Sequence, residues 1–326
     1  MEYCYLGNTG LWVSRLCLGT MNFGVDTDEQ EAFKIMDAAL DVGLNFFDTA
    51  NIYGWGDNAG TTERIIGKWF AQGGNRREKV ILATKVHEDM RDANDMYNSK
   101  AGLSAYKIRR HLEGSMRRLQ TDHIELYYMH HIDRNVTWEE LWGALIPEVE
   151  KGKIDYIGSS NFAGWDIAVA QAAASQRHFI GLVCEQHKYN LNCRIPELEV
   201  IPAASHFGLG IIPWAPLDGG LLARNALTDA NSGRRSKLAG KIKTHYAQLQ
   251  VFSNFCNDLG EHPDSVALAW LLSNPSVDSP IIGPRTLEQF EQALQALNVK
   301  LGQVELTALD KIFPGPGGTT PYAYAW

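Results

Sequence analysis

Side chains with acid–base chemistry stand where apolar runs stop. The stretch FFDTANIYGWG, residues 46–56, finishes a strongly apolar run on Asp48 and carries Tyr53 five residues later among turn formers. VILATK (80–85) ends on Lys85, and IELYYMH (124–130) ends on His130. A charged group at the tip of a buried strand adds nothing to packing and is costly unless paired, so Lys85 is expected to pair with Asp48. An ammonium beside a phenol favours the phenolate, and Tyr53 is therefore expected to titrate below the value of about 10 of free tyrosine. That would make Tyr53 a general acid near neutral pH, with Asp48 holding Lys85 charged and His130 orienting the substrate oxygen. Taken singly, each residue also has a plain structural use: a turn cap, an aromatic edge, an exposed strand end, a satisfied core histidine. Convergence of all of them on one wall is what points to chemistry. The group is not a nucleophile. No metal is expected, because His130 and His131 are adjacent and neighbouring side chains on a strand point to opposite faces.

The elements that must bring these residues together are short apolar runs at wide spacing: 15–19, 44–48, 80–85, 124–130, 155–160, 181–186, 210–214 and 279–283. Helical periodicity fills the intervals, as in EQEAFKIMDAALDVG ending on Gly43, SAYKIRRHLEGSMRRLQ opening on Ser104 as an N-cap, and TWEELWGALIPEVEKGK. Strands alternating with helices predict βαβ units and a parallel sheet, and eight strands predict a closed (β/α)₈ barrel, a TIM barrel, rather than an open doubly wound sheet. Residues 1–326 read as a single such domain. YCYLGNTGLWVS reads as an N-terminal β-hairpin turning at Gly-Asn-Thr-Gly and placed to plug the barrel bottom. APLDGGLLARNALTDANSGRRSK after the seventh strand is a long irregular loop, a kind that is usually functional. In a barrel of this type the carboxyl ends of the strands share one rim, so Asp48, Lys85, His130, Ser160 with Asn161, Gln186, Trp214 and Gly283 would all face it.

Composition narrows the classes. The 326 residues are 45% hydrophobic, enough for a large core, and the net charge of −8 argues against a general nucleic-acid binder. No apolar run approaches the roughly 20 residues that span a bilayer, and no charged leader precedes an apolar core at the N-terminus, so no membrane association or signal peptide is expected. Five cysteines without a CxxC pair suit a reducing cytoplasm better than a disulfide framework or zinc site. GTTERIIGKW has the wrong glycine spacing for a phosphate loop, and Trp69 follows its lysine where a magnesium-binding Ser or Thr would stand. GLGIIP fails as a dinucleotide fingerprint at Pro213 and precedes a strand instead of following one. HExxH and GxSxG are absent.

On these residues the chain resembles an aldo-keto reductase over nearly its whole length. DTANIYG, ATK and LYYMHHID are similar to the family segments that carry its catalytic Asp, Tyr, Lys and His, here Asp48, Tyr53, Lys85 and His130. Asp133 closes an H-x-x-D pattern that selects His130 over His131. The resemblance implies carbonyl reduction by hydride transfer from NADP(H), with NAD(H) left open. IGSSNF, EQHKYNL and WAPLDGGLL imply cofactor contacts from Ser160, Asn161 and Gln186, from Trp214 stacking on the nicotinamide, and from Ala215, Pro216, Leu217 and Gly219 along the pyrophosphate. Thr20 and Met21 after the first strand, and Gly283, Arg285 and Gln289 in IIGPRTLEQFEQA, complete the implied set, Arg285 meeting a 2′-phosphate. Gln292 and Ala293 depart from the Glu and Asn of many members, and Asn225 from a lysine.

The aromatic tail FPGPGGTTPYAYAW resembles those of bacterial members that include reductases of nucleotide-linked deoxysugars. It implies a substrate pocket lined by Trp55, Tyr322 and Trp326 that takes a small-molecule carbonyl compound. Two alternatives stay open beside carbonyl reduction. One is a cofactor-binding regulatory subunit, as in the potassium-channel β-subunits that resemble this family. The other is reduction of a C=C bond in an unsaturated nucleotide sugar.

Overall fold

Each of the eight apolar runs becomes a strand of one parallel sheet. In the computed structural model, which describes residues 1–91, 100–224, 226–227 and 238–317, the barrel strands are β3 (Cys17–Gly19), β4 (Phe46–Asp48), β5 (Ile81–Val86), β6 (Ile124–Met129), β7 (Ile154–Ser160), β8 (Leu182–Lys188), β9 (Gly210–Trp214) and β10 (Ile281–Ile282). They pair in the order β10-β3-β4-β5-β6-β7-β8-β9. A parallel bridge from Ile211 to Val277 draws the two edges together and makes the barrel nearly closed. This is the (β/α)₈ architecture expected from the alternation.

Period-2 alternation divides the core in two. Phe46, Ala83, Leu126, Tyr128, Cys184 and Ile212 point inward and fill the barrel, while Phe47, Leu82, Tyr127, Met129 and Ile211 point outward to the helices. The helices are held in place by local chemistry. α1 (Glu29–Asp41) is capped by the Asp28 carboxylate and followed by Gly43 at φ 80°. α3 (Ala105–Leu119) is capped by Ser104 and α4 (Trp138–Glu150) by Thr137. The connections between strands are completed by α2 (Thr61–Phe70), α5 (Gly164–Ser175), α6 (Val200–Phe207), α7 (Ala239–Leu259) and α8 (Pro263–Ser273), and α9 (Leu287–Leu294) and α10 (Gln303–Ile312) follow β10.

The N-terminal hairpin, β1 (Tyr3–Tyr5) and β2 (Trp12–Ser14), lies under the barrel. It inserts Leu6 and Val13, both fully buried, among the inward-facing strand residues. Gly7 makes the fit possible. Its φ is 49°, a Cβ there would stand 2.6 Å from the Gly208 carbonyl oxygen, and its N–H donates to Asp278 Oδ2 at 2.7 Å.

Candidate active site

Strand register alone brings the first pair together. β4 and β5 pair Asp48 with Ala83, and Lys85 lies two residues further along β5 on the same inward face. The chain leaving β4 stays beside β5, with Thr49 N–H donating to Ala83 O (2.9 Å) and Asn51 N–H to Lys85 O (3.3 Å). It then turns, Tyr53 N–H donating to Ala50 O, and the phenol comes back over Lys85. Gly54 permits the turn: at φ 109°, a Cβ would lie 2.1 Å from Asn58 O. β6 pairs Tyr128 with Lys85, and His130, one residue past the strand, donates its N–H to Val86 O (3.0 Å).

Lys85 Nζ is fully buried and spends its three protons on Asp48 Oδ1 (2.5 Å), Thr49 O (2.8 Å) and Tyr53 OH (3.1 Å). Gln186 Nε2 donates to the other Asp48 oxygen at 2.7 Å. The His130 ring stands edge-on to Tyr53, with 6.0 Å between ring centres. Burial alone would lower the Lys85 pKa. Asp48 and then Tyr53 more than offset it and hold the ammonium above its ordinary range. The phenol behaves differently from the expectation. Burial pushes the Tyr53 pKa up, and the opposing pull of Lys85 does not overcome it. Tyr53 is therefore held in its protonated form beside the ammonium. His130 is held well below its ordinary value, first by burial and then by Lys85, and is neutral.

A cleft of ≈ 1370 Å³ opens over the strand ends. Its walls include Asp48, Tyr53 and His130, Thr20 and Met21 after β3, Ser160 at the end of β7 and Asn161 just past it, and Gln186 on β8. They continue through Trp214, Ala215, Pro216, Leu217 and Gly219 to Gly283, Arg285 and Gln289, with Trp55 at the mouth. Lys85 lies behind this wall and reaches the cleft through Tyr53. Tyr322, Trp326 and Asn225 lie outside the described residues, as do residues 228–237 of the loop after β9. Asn161, at φ 60°, ties the wall together: its Oδ1 accepts from Trp214 Nε1 (3.0 Å) and its Nδ2 donates to His130 O (3.1 Å) and Ser160 Oγ (3.0 Å).

Several residues of this cleft carried no sequence signal. Lys188 pairs with Asp218 (2.8 Å), and Arg224 meets Asp264 through two bonds of 2.9 and 3.1 Å. Their partners are distant in the chain, so no spacing announces them. Buried Glu185 accepts from Ser159 Oγ (2.5 Å), Phe162 N–H (3.0 Å) and His187 (2.9 Å), and so clamps the segment that bears Asn161. The expectation that His130 and His131 face apart fails. β6 ends at Met129, so strand alternation no longer governs them, and their rings stack with centres 5.0 Å apart.

The barrel, the buried acid–base cluster at its carboxyl rim and the long cleft define a (β/α)₈-barrel protein with its candidate site at the strand ends. The family model described as "Aldo/keto reductase family" matches residues 15–313, and the chain belongs to that family. It is 63% identical over the full length of both chains to "Uncharacterized oxidoreductase YrpG" of Bacillus subtilis (strain 168). It is 30% identical to "Versiconal hemiacetal acetate reductase" of Aspergillus parasiticus, covering 95% of this chain and 96% of that one. It is also 32% identical to "Probable voltage-gated potassium channel subunit beta" of Oryza sativa subsp. japonica, covering 92% of each.

Proposed function

We propose that this oxidoreductase reduces an aldehyde or ketone to an alcohol with NADP(H), Tyr53 donating the proton. The observation that carries the reading is the Tyr53 hydroxyl, protonated and 3.1 Å from an ammonium that Asp48 and Thr49 hold in place, at the wall of the cleft. Burial keeps the proton on the phenol until an oxygen that is gaining negative charge takes it. The phenolate left behind is stabilised by Lys85 at the moment it forms, which is where a preorganised charge lowers a barrier. Neutral His130 is placed to donate to the same oxygen and align it.

The residues present fit a bound dinucleotide. Ser160, Asn161 and the Gln186 oxygen offer polar groups beside Tyr53, the Gln186 amide protons being engaged with Asp48 in part. Trp214 presents an aromatic face whose tilt is set by its bond to Asn161. Lys188, Arg224 and Lys241 line the wall in ion pairs with Asp218 and Asp264, and Arg285 stands just before the N-terminus of α9, a setting suited to phosphate. When bound, the reduced nicotinamide supplies the hydride to the carbonyl carbon. The residues 1–326 are read as one unit that houses the whole site.

Tyr53→Phe tests the reading. Cofactor affinity should remain nearly intact while turnover falls by about 10²–10⁴-fold, the usual contribution of general acid catalysis. Unchanged turnover in a stopped-flow assay of cofactor oxidation would refute it. A second reading, a regulatory subunit of a membrane channel, is favoured by the likeness to the rice protein alone. Co-purification with a membrane complex, without multiple turnover on small aldehydes, would favour it over catalysis.

A further inference from the structure

Beside the acid–base cluster, and sharing His130 with it, the cleft gathers a second set of groups. Glu88, His130 and His131 each offer one ligand atom, and these atoms all lie within 4.8 Å of one another. Glu88 Oε1 is 3.4 Å from His131 Nε2 and 3.2 Å from His87 Nδ1. The Nδ1 of His130 is buried and, among the described residues, has no hydrogen-bond partner. A buried imidazole nitrogen left unpaired is unusual, because such atoms nearly always find a donor or acceptor.

We propose that Glu88, His130 and His131 form a binding site for a divalent transition-metal cation of the zinc class, and that occupancy inhibits the enzyme. Two imidazoles and one carboxylate are the donor set that such ions take, with a fourth position open to solvent in the cleft. At ligand distances of about 2.1 Å, the edge of a tetrahedral site is about 3.4 Å, so the set must contract and the stacked rings must fan apart. His131 and Glu88 can make that movement: their side chains are 45% and 32% exposed. His87, hydrogen-bonded to Glu88, would orient the carboxylate from behind the site. A cation held here engages His130 and stands in the approach of a substrate oxygen to Tyr53. The existence of the site rests on this geometry; its inhibitory consequence rests on the function proposed above.

Titrating the cofactor-free protein with Co²⁺ and following its visible d–d absorption tests the site directly. Saturable binding of one ion, displaced by Zn²⁺ and weakened roughly tenfold or more in both Glu88→Gln and His131→Ala, is expected. No saturable binding, or the same affinity in both variants, would overturn it. Melting followed by circular dichroism checks that the variants are folded, and the isosteric Glu88→Gln keeps the test decisive if His131→Ala is not. In the turnover assay Zn²⁺ should inhibit the wild-type protein, with the inhibition relieved in Glu88→Gln. Metal binding that leaves wild-type turnover unchanged would overturn the inhibitory role. Absence of any carbonyl reduction by the metal-free protein would count instead against the proposed function and leave the binding result standing.

Discussion

Lys85 keeps its charge away from bulk solvent. Its side chain is fully buried, that of Asp48 is 3% exposed, and the two meet at 2.5 Å. Removing one partner leaves the other charge without compensation in a medium that solvates it poorly. Lys85→Met is therefore expected to destabilise the fold by about 3–5 kcal/mol, and Asp48→Asn in the same chain should recover part of that loss. Urea denaturation of the two single variants and the double variant checks this, and an additive double variant would show that the pair is not coupled. At this scale much of the site was legible in the sequence. Burial selects apolar residues along a strand, so Asp48, Lys85 and His130 stood out as polar tips. Glu185 did not: it interrupts GLVCEQ from inside, and only the fold reveals the three donors that satisfy it. The acidity of Tyr53 was misjudged because a neighbouring charge can be read from spacing, whereas depth of burial cannot.

Elements place these residues through a few strained turns. Trp55, Asn161, Ala215 and Asp218 all have positive φ without being glycine, and all line the cleft. Asn161 is the junction, since it follows directly on β7, holds Trp214 and reaches His130 O. Asn161→Ala and Asn161→Gly both delete these bonds, but only alanine must then adopt the left-handed conformation at a cost of about 1 kcal/mol. The alanine variant should be the less stable by about that amount in thermal unfolding. Both variants should bind cofactor more weakly than the wild type and to similar extents, because Trp214 is untethered in each. Titration by tryptophan fluorescence measures this, and a glycine variant with wild-type affinity would show that the tether is irrelevant. The eight strands were legible because each is a bounded apolar run, even β10 with two residues. The ion pairs Lys188–Asp218 and Arg224–Asp264 were not, since surface cations are common everywhere and only the packing of the loop after β9 against the end of β8 and against α8 selects these.

Across the whole molecule the hairpin and the barrel are joined by a charge with a cost. Asp278 accepts from Gly7 N–H, and burial raises its pKa from 3.8 to about 6 against the pull of that bond and of Arg15. An acid whose folded value is raised contributes stability in full below its unfolded pKa and loses it as pH rises through the folded pKa. The loss therefore falls between 3.8 and about 6 and amounts to something on the order of 3 kcal/mol. Asp278→Asn keeps an oxygen for Gly7 and removes the titration. It should melt higher than the wild type at about pH 8 and lose that advantage as pH falls toward about 4. Parallel melting curves at the two pH values check the sign, and a difference independent of pH would exclude Asp278 as its source. The hairpin itself was legible from its turn residues, while its seal depends on Asp278 and Arg15, which lie far apart in sequence. Arg15 donates to Leu272 O and Val277 O, both at 2.7 Å, and no local pattern marks that reach.

An aldehyde beside a lysine ordinarily invites condensation to an imine, which under the carbonyl reduction proposed above would trap the substrate. Condensation needs a nitrogen lone pair. All three N–H bonds of Lys85 are committed to oxygen acceptors, and the proton that would have to leave is held by Asp48. The same clamp that readies the ammonium for the phenol thus makes it inert toward carbonyl carbon, and borohydride added with an aldehyde should leave Lys85 unmodified.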